Sequence, residues 1–337
     1  MISEHGGSDS GPAIRHDFSS NASPLGAPPA LLRAVLAADR GSYPDPDYQR
    51  LREHLGSAES VHAARVLPAS GGAEAIRRLS LAALLSGLRA VWVPHPGFGD
   101  YAAAALALGL QVQRYASVPA LCAALQEPAL VWVCEPCNPT GDSLSRPDWL
   151  ALDAALQASA SVLAVDCAYE PLRLDGSSQM PASLAEQAWR LICPNKALSL
   201  TGVRAAYLLA PASGRLADCA TRLAPSWVLS SEGVNLLMHW HSAETRHHLH
   251  QVWQQVIAWR ASQIALLAEL GWQQRPSCTN FWLAQPSCQA DWLVRLRERG
   301  VKLRDATSFA LPGWVRLSTQ SPQAQQALRL AIKELQT

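Results

Sequence analysis

Two residues at the ends of apolar runs define the chemistry this chain could perform. Asp166 closes the run Ser161-Val162-Leu163-Ala164-Val165, and Lys196 follows the run Arg190-Leu191-Ile192-Cys193, with Arg204 eight residues further on. A carboxylate at the end of a buried strand is costly unless it meets a positive partner, and a protonated pyridine nitrogen would supply one. Its ordinary alternative is a helix N-cap. A lysine at a strand exit is ordinarily a snorkelling surface residue. Beside a carboxylate and a phosphate-binding arginine, a Schiff-base lysine is the more economical reading.

Three further motifs precede these in order. Ser70-Gly71-Gly72-Ala73-Glu74 opens a helical pattern, so its unpaired N–H groups and the helix dipole offer a phosphate site, or else a plain glycine turn. Phe98, in Pro94-His95-Pro96-Gly97-Phe98-Gly99-Asp100-Tyr101, is an aromatic ring in a loop, suited to stacking on a planar ligand or to acting as an apolar lid. Asn138 stands between Pro136 and Pro139 directly after the run Leu130-Val131-Trp132-Val133-Cys134, a rigidly held amide able to donate to an oxygen.

The elements that must position these residues alternate. Short apolar runs near residues 90–93, 111–115, 130–134, 161–166, 190–193 and 205–209 are separated by helical patterns such as 73–85, 101–108 and 147–158. Runs without polar alternation suit strands buried on both faces, which predicts an α/β fold with a mostly parallel sheet sandwiched by helices. Ligands in such sheets bind at the carboxyl ends of the strands. A breaker-poor stretch over 242–270 predicts one long helix. Beyond it, strands near 280–283, 301–304 and 314–318 and helices near 292–299 and from 322 predict a smaller α+β domain. The expected division is an N-terminal arm with a short helix (1–40), a large domain (41–240), and a linking helix with the small domain (241–337). The arm is expected to lie over the large domain.

Composition narrows the classes. With 28 basic against 27 acidic residues there is no broad field to draw the chain onto nucleic acid or an anionic membrane. No signal-peptide pattern or membrane-length apolar window occurs, so a soluble cytoplasmic protein is expected. Eight scattered cysteines read as reduced and buried, and Cys134-x-x-Cys137 lacks a second pair at zinc spacing. The run of histidines His239, His241, His247, His248 and His250 reads as a solvated helical face, so no metal is expected.

Taken in order, Asn138-Pro139-x-Gly141, Asp166-x-x-Tyr169 and Lys196 followed by Arg204 resemble fold-type I pyridoxal 5′-phosphate (PLP) enzymes of the class I/II aminotransferase superfamily, from Asn21 to Arg316. The resemblance implies that Gly72 and Ala73 donate to the cofactor phosphate and Arg204 binds it, and that Phe98 stacks on the pyridine. It implies that Asn138 and Tyr169 donate to the phenolic oxygen, Asp166 partners the pyridinium, and Lys196 holds the cofactor covalently. Lys196, Asp166 and Tyr169 are then the catalytic set. Asn21-Ala22-Ser23-Pro24-Leu25-Gly26 is similar to the arm of histidinol-phosphate aminotransferases. In Ser42-Tyr43-Pro44-Asp45-Pro46, Tyr43 matches a tyrosine reaching the phosphate of a neighbouring subunit, which implies a homodimer. Arg316 matches the arginine that binds the substrate carboxylate, and Arg304 one that binds a substrate phosphate. Where the pattern has hydroxyl residues, this chain has Cys193 and Asn195, which puts cofactor affinity in question.

His5-Gly6-Gly7 ahead of His16-Asp17-Phe18-Ser19-Ser20-Asn21 resembles the start of threonine-phosphate decarboxylases, placing His5 and Asn21 among the substrate-binding residues. On this ground, decarboxylation of L-threonine O-3-phosphate to an aminopropanol phosphate for cobalamin synthesis stands ahead of transamination of histidinol phosphate. A PLP-binding sensor is a remote third reading, since no helix-turn-helix pattern accompanies the match. The expected partners are a small phosphorylated amino acid and a second copy of the chain.

Overall fold

The structure, a computed structural model, describes residues 5–214, 216–286 and 291–336; residues 1–4, which open the amino-terminal reading, lie outside these. A seven-stranded sheet forms in the order Val66–Ala69, Ala206–Leu209, Trp189–Ile192, Val162–Asp166, Ala129–Cys134, Ala90–Pro94, Gln111–Tyr115. Neighbours pair in parallel except at Ala206–Leu209, which runs antiparallel to both of its partners. The chain is therefore α/β with a mostly parallel central sheet flanked by helices.

The inner strand Ala129–Cys134 is buried along its whole length. Leu130, Trp132 and Cys134 enter one core, with Ile76 and Leu79 of the helix Gly72–Leu85, while Val131 and Val133 enter a second core with Trp149 and Leu152 of the helix Arg146–Ser159. This is the two-residue period of a strand covered on both faces, and it explains why the run reads as continuously apolar. The helix over the second core starts at a capping box, Ser145 accepting from the Asp148 N–H while Asp148 accepts from the Ser145 N–H.

The helix Ala243–Glu269 starts at Ser242, whose hydroxyl accepts from the Thr245 N–H. It joins two cores, placing Leu249 in the large one and Leu267 in a separate cluster with Trp272, Trp282 and Leu328. That cluster belongs to a four-stranded antiparallel sheet, Arg304–Asp305, Val315–Ser318, Phe281–Gln285 and Gln273–Gln274. We propose the division into arm, large and small domains at the boundaries given above. Among the described residues no helix is long and apolar enough to cross a membrane.

Two expectations need correction. The arm does not lie over the large domain alone: His16–Asp17 pairs in parallel with Val301–Lys302, and Phe18 is fully buried in the small core, while the helix Pro29–Leu36 packs on Ser231–Trp240. The small core takes the Phe18 ring out of water, and the neighbouring strands partner its backbone, its N–H donating to the Lys302 carbonyl and its carbonyl accepting from the Ser318 N–H, both at 2.9 Å. The strand expected over 301–304 is in fact two, because Leu303 turns into the core and the chain changes partner there.

Gly141 shows how closely the site loops meet the small domain. It has φ +75°, and a Cβ there would lie 1.9 Å from Ser277 Oγ. Gly87 has φ +90° with open space around it. Gly87→Ala should lose only the backbone term, about 1–2 kcal/mol. Gly141→Ala should lose clearly more in urea unfolding, since strain adds to the clash; equal losses would mean that the close approach is not maintained.

Candidate active site

The carboxyl ends of the parallel strands open into a cavity of about 440 Å³. Every site residue singled out in the sequence lines it except Tyr43. Tyr43 is 77% exposed and stacks on Trp227, with ring centroids 4.3 Å apart.

At one end Asp166, 5% exposed, ends its strand. Tyr101 Oη donates to Asp166 Oδ2 at 2.7 Å and the Ala168 N–H donates to Oδ1 at 2.9 Å. Burial pushes the carboxyl upward, against the Tyr101 bond and the charge of Lys196, which favour ionisation. Tyr101 is held by stacking on Trp132 at 4.9 Å and 15°, and Phe98 meets it edge-on at 5.6 Å. Tyr101 was missed in the sequence reading; an aromatic residue with a polar tip in the first turn after the Phe98 loop was the available signal.

Opposite the carboxylate, the helix Gly72–Leu85 begins at Gly71, φ +86°, where any side chain would strike the guanidinium of Arg204. Arg204 Nη1 donates to the Thr201 carbonyl at 3.1 Å, which aims the group across the helix start. A cation beside the first N–H groups of a helix, which have no partner within the helix, makes an anion site; here the Gly72 N–H also faces the Cys193 sulfur. Lys196 lies beside it, Nζ 5.1 Å from the Tyr169 ring centroid. Burial would lower its amine, but Tyr169, Cys193 and Asp166 outweigh this and raise it. Cys193 and Asn195, the two departures from the expected pattern, are both buried in the wall. Burial holds the Cys193 thiol up at about 12, so it is a neutral group, and Asn195 Oδ1 has no partner.

The third side belongs to the small domain and the arm. Arg316 Nη1 donates to Asn138 Oδ1 at 2.6 Å and Nη2 to the Ser19 carbonyl at 2.6 Å. With Oδ1 engaged, the other group of the Asn138 amide is a donor. Arg304 donates to the Asp305 carbonyl at 2.6 Å and to Ser308 Oγ at 2.6 Å, beneath Phe309. Burial lowers Arg316 to about 10, and Arg304 adds like-charge repulsion. The arm closes the wall through the Ser23 N–H, which donates to the Lys196 carbonyl at 2.9 Å, and Ser199 Oγ, which donates to the Ser23 carbonyl at 2.7 Å. His5 sits at the rim, 6.0 Å from Phe98 and with Nε2 3.8 Å from Asp100.

These residues fit a phosphorylated pyridine aldehyde. Gly72, Ala73 and Arg204 would take the phosphate, Phe98 the ring face, Asp166 the ring nitrogen, Asn138 and Tyr169 the phenolic oxygen, and Lys196 the aldehyde carbon. Polar atoms left without partners in this wall, both ends of the Asn21 amide, Asn195 Oδ1 and Arg316 Nε, are further signs of a polar occupant. Among the described residues no group of three or more His, Cys, Asp or Glu side chains could hold a metal ion.

Known proteins resemble this chain along most of its length. The profile of the aminotransferase class I and II family matches residues 15–332. Histidinol-phosphate aminotransferase 2 of Caulobacter vibrioides is 30% identical over 328 residues, 94% of this chain and 85% of that protein. Among solved structures, histidinol-phosphate aminotransferase from Sinorhizobium meliloti in complex with pyridoxal-5′-phosphate superposes with TM-score 0.78 at 21% identity, over 96% of this chain and 90% of that one. L-threonine-O-3-phosphate decarboxylase from Porphyromonas gingivalis does so at 0.76 and 20%, over 94% and 98%.

Asp166→Asn tests the carboxylate directly. The neutral amide keeps the shape but not the charge, so turnover should fall on the order of 10²–10³-fold, the effect of losing one transition-state electrostatic contact. Steady-state kinetics on folded variant checks this, and near-normal turnover would make Asp166 a structural cap.

Proposed function

The chain belongs to the aminotransferase class I and II family, and from that premise we propose that it transaminates a small amino compound carrying a phosphate, with histidinol phosphate the first candidate. Its cofactor is pyridoxal 5′-phosphate. The observation that carries the substrate class is the pair Arg304 and Arg316, two buried guanidiniums at one end of the cavity. The bonds from Arg316 to Asn138 and Ser19 go to neutral oxygens, which orient the cation without cancelling its charge. A dianion answers two cations better than a carboxylate does.

PLP, when bound, supplies an electron sink for the bond broken at the substrate α-carbon. The chain's residues do the rest. Asp166 would hold a positive charge at the ring nitrogen, Lys196 would carry the proton to and from the substrate α-carbon, and Arg304 and Arg316 would fix the substrate phosphate and so its orientation. Burial beneath the arm keeps water from these charges and strengthens each contact.

Decarboxylation of L-threonine O-3-phosphate is the second reading. It stood first on sequence, and the order is reversed because relatives along nearly the whole chain are named for transamination, whereas the decarboxylase is a structural neighbour at 20% identity. What favours it is the arm: His5, Gly6 and Gly7, the residues that resemble decarboxylases, line the cavity. With the phosphate on Arg304 and Arg316, the carboxylate of that substrate points away from both, and Lys196 would protonate the α-carbon after carbon dioxide leaves. We also place the homodimer contact at the exposed Tyr43–Trp227 stack, from which Tyr43 would reach a neighbouring cofactor phosphate.

The test is turnover with PLP-loaded protein. Sustained glutamate production from histidinol phosphate and 2-oxoglutarate supports transamination; continuous carbon dioxide release from L-threonine O-3-phosphate without an acceptor moves the assignment to the second reading. Under either, Arg304→Ala and Arg316→Ala should each weaken substrate binding by roughly 2–5 kcal/mol, as for one member of a buried charge pair. Unchanged Michaelis constants would remove the phosphate from this end.

A further inference from the structure

Behind the site, outside the cavity, lies a buried ion pair that the chemistry above does not use. Glu135 begins the loop that carries Asn138, and its carboxylate ties both stems of that loop together: Oε2 accepts from the Leu144 N–H at 2.9 Å, and Oε1 accepts from Ser143 Oγ. Oε1 also accepts from Arg173 Nη2 at 2.7 Å, with the two side chains 3% and 6% exposed. The same guanidinium grips Glu170, the neighbour of Tyr169, through Nη2 at 2.8 Å and Nε at 2.9 Å. Its Nη1 reaches Cys278 Sγ of the small domain at 3.4 Å. Cys278 closes the ring, its N–H donating to the Gly141 carbonyl at 2.9 Å and its thiol to the same oxygen at 3.1 Å.

One arginine thus joins the Asn138 loop, the Tyr169 loop and the small domain that carries Arg316. Burying such a pair brings little net stability, since desolvation offsets most of the attraction. A positional role accounts for it better. We infer that Glu135 and Arg173 are positioning residues that set the spacing of the Asn138 and Tyr169 donors and lock it to the small domain. The inference rests on the PLP reading, because those two donors are placed at the cofactor's phenolic oxygen. Because Arg316 is held by Ser19 as well as Asn138, and Arg304 by Asp305 and Ser308, loss of Glu135 or Arg173 should alter how the cofactor sits more than how substrate is held.

The experiment compares wild type, Glu135→Gln, Arg173→Gln, the double variant and the milder Cys278→Ala, each loaded with PLP to equal occupancy. The readouts are visible circular dichroism per bound cofactor, kcat, KM, and melting of the apo-protein. The expected result is a weakened or shifted dichroic band and a kcat lowered about tenfold or more, with KM changed less than threefold. The double variant should be no worse than the worse single, as for two parts of one unit, and Cys278→Ala should move the same way by less. Should the charge variants fail to fold, Cys278→Ala decides by the same band and kcat. Unchanged band and kcat with only melting altered, or additive losses, overturn the inference while leaving the PLP reading intact. Wild-type protein with no visible band would overturn the PLP reading, and this inference with it.

Discussion

A carboxylate buried at the end of a central strand constrains everything around it. Asp166 cannot leave its position, because the strand that delivers it is paired on both sides and packed on both faces. It cannot be satisfied there by the Tyr101 hydroxyl and the Ala168 N–H alone, since neither brings a positive charge. Lys196 acts on it by charge, and the guanidiniums of the cavity stand elsewhere, with Arg204 at the helix start and Arg304 and Arg316 on the small domain. The carboxylate and the guanidiniums are delivered by different elements of the chain. A ligand with a positive ring nitrogen at one end and phosphate at the other answers both.

Keeping these charges apart requires three parts of the chain to meet at one place. The large domain brings Asp166, Lys196 and the helix start; the small domain brings Arg304 and Arg316; the arm brings Asn21 and the rim. At the site their joints are short polar contacts: Arg316 on Asn138 and Ser19, Ser23 on the Lys196 carbonyl, Arg173 across Glu135, Glu170 and Cys278. Such joints specify geometry more than they add stability. They locate the site where the domains touch, while the hydrophobic cores lie to either side of it.

The sequence was most legible where one residue decides one thing. That Asp166, Lys196 and Arg204 meet at one cavity could be read because strand ends and glycine-led helices leave few alternatives for a charged side chain, and the strands were legible because burial on both faces makes them uniformly apolar. What could not be read was cooperative. Tyr101 became a partner of Asp166 only through stacking on Trp132, which no local pattern encodes. Phe18 carries no local sign of the small core that closes over it. The antiparallel course of Ala206–Leu209 is a matter of topology, and its apolar run reads the same in either direction. Reaction type was hardest of all, because both readings use the same lysine and arginines and differ only in which bond at the α-carbon they expose.

The central claim is that Lys196 is the residue to which PLP is bound, and the chain's composition makes it directly measurable. There are only three lysines. Lys302 is bonded to Asp9 and the Gly7 carbonyl, and Lys333 lies exposed in the final helix. Borohydride reduction of PLP-loaded protein, followed by peptide mass mapping, should place one pyridoxyl group on Lys196 and none on the other two. A pyridoxyl group on Lys302 or Lys333, or on no lysine, would contradict the account.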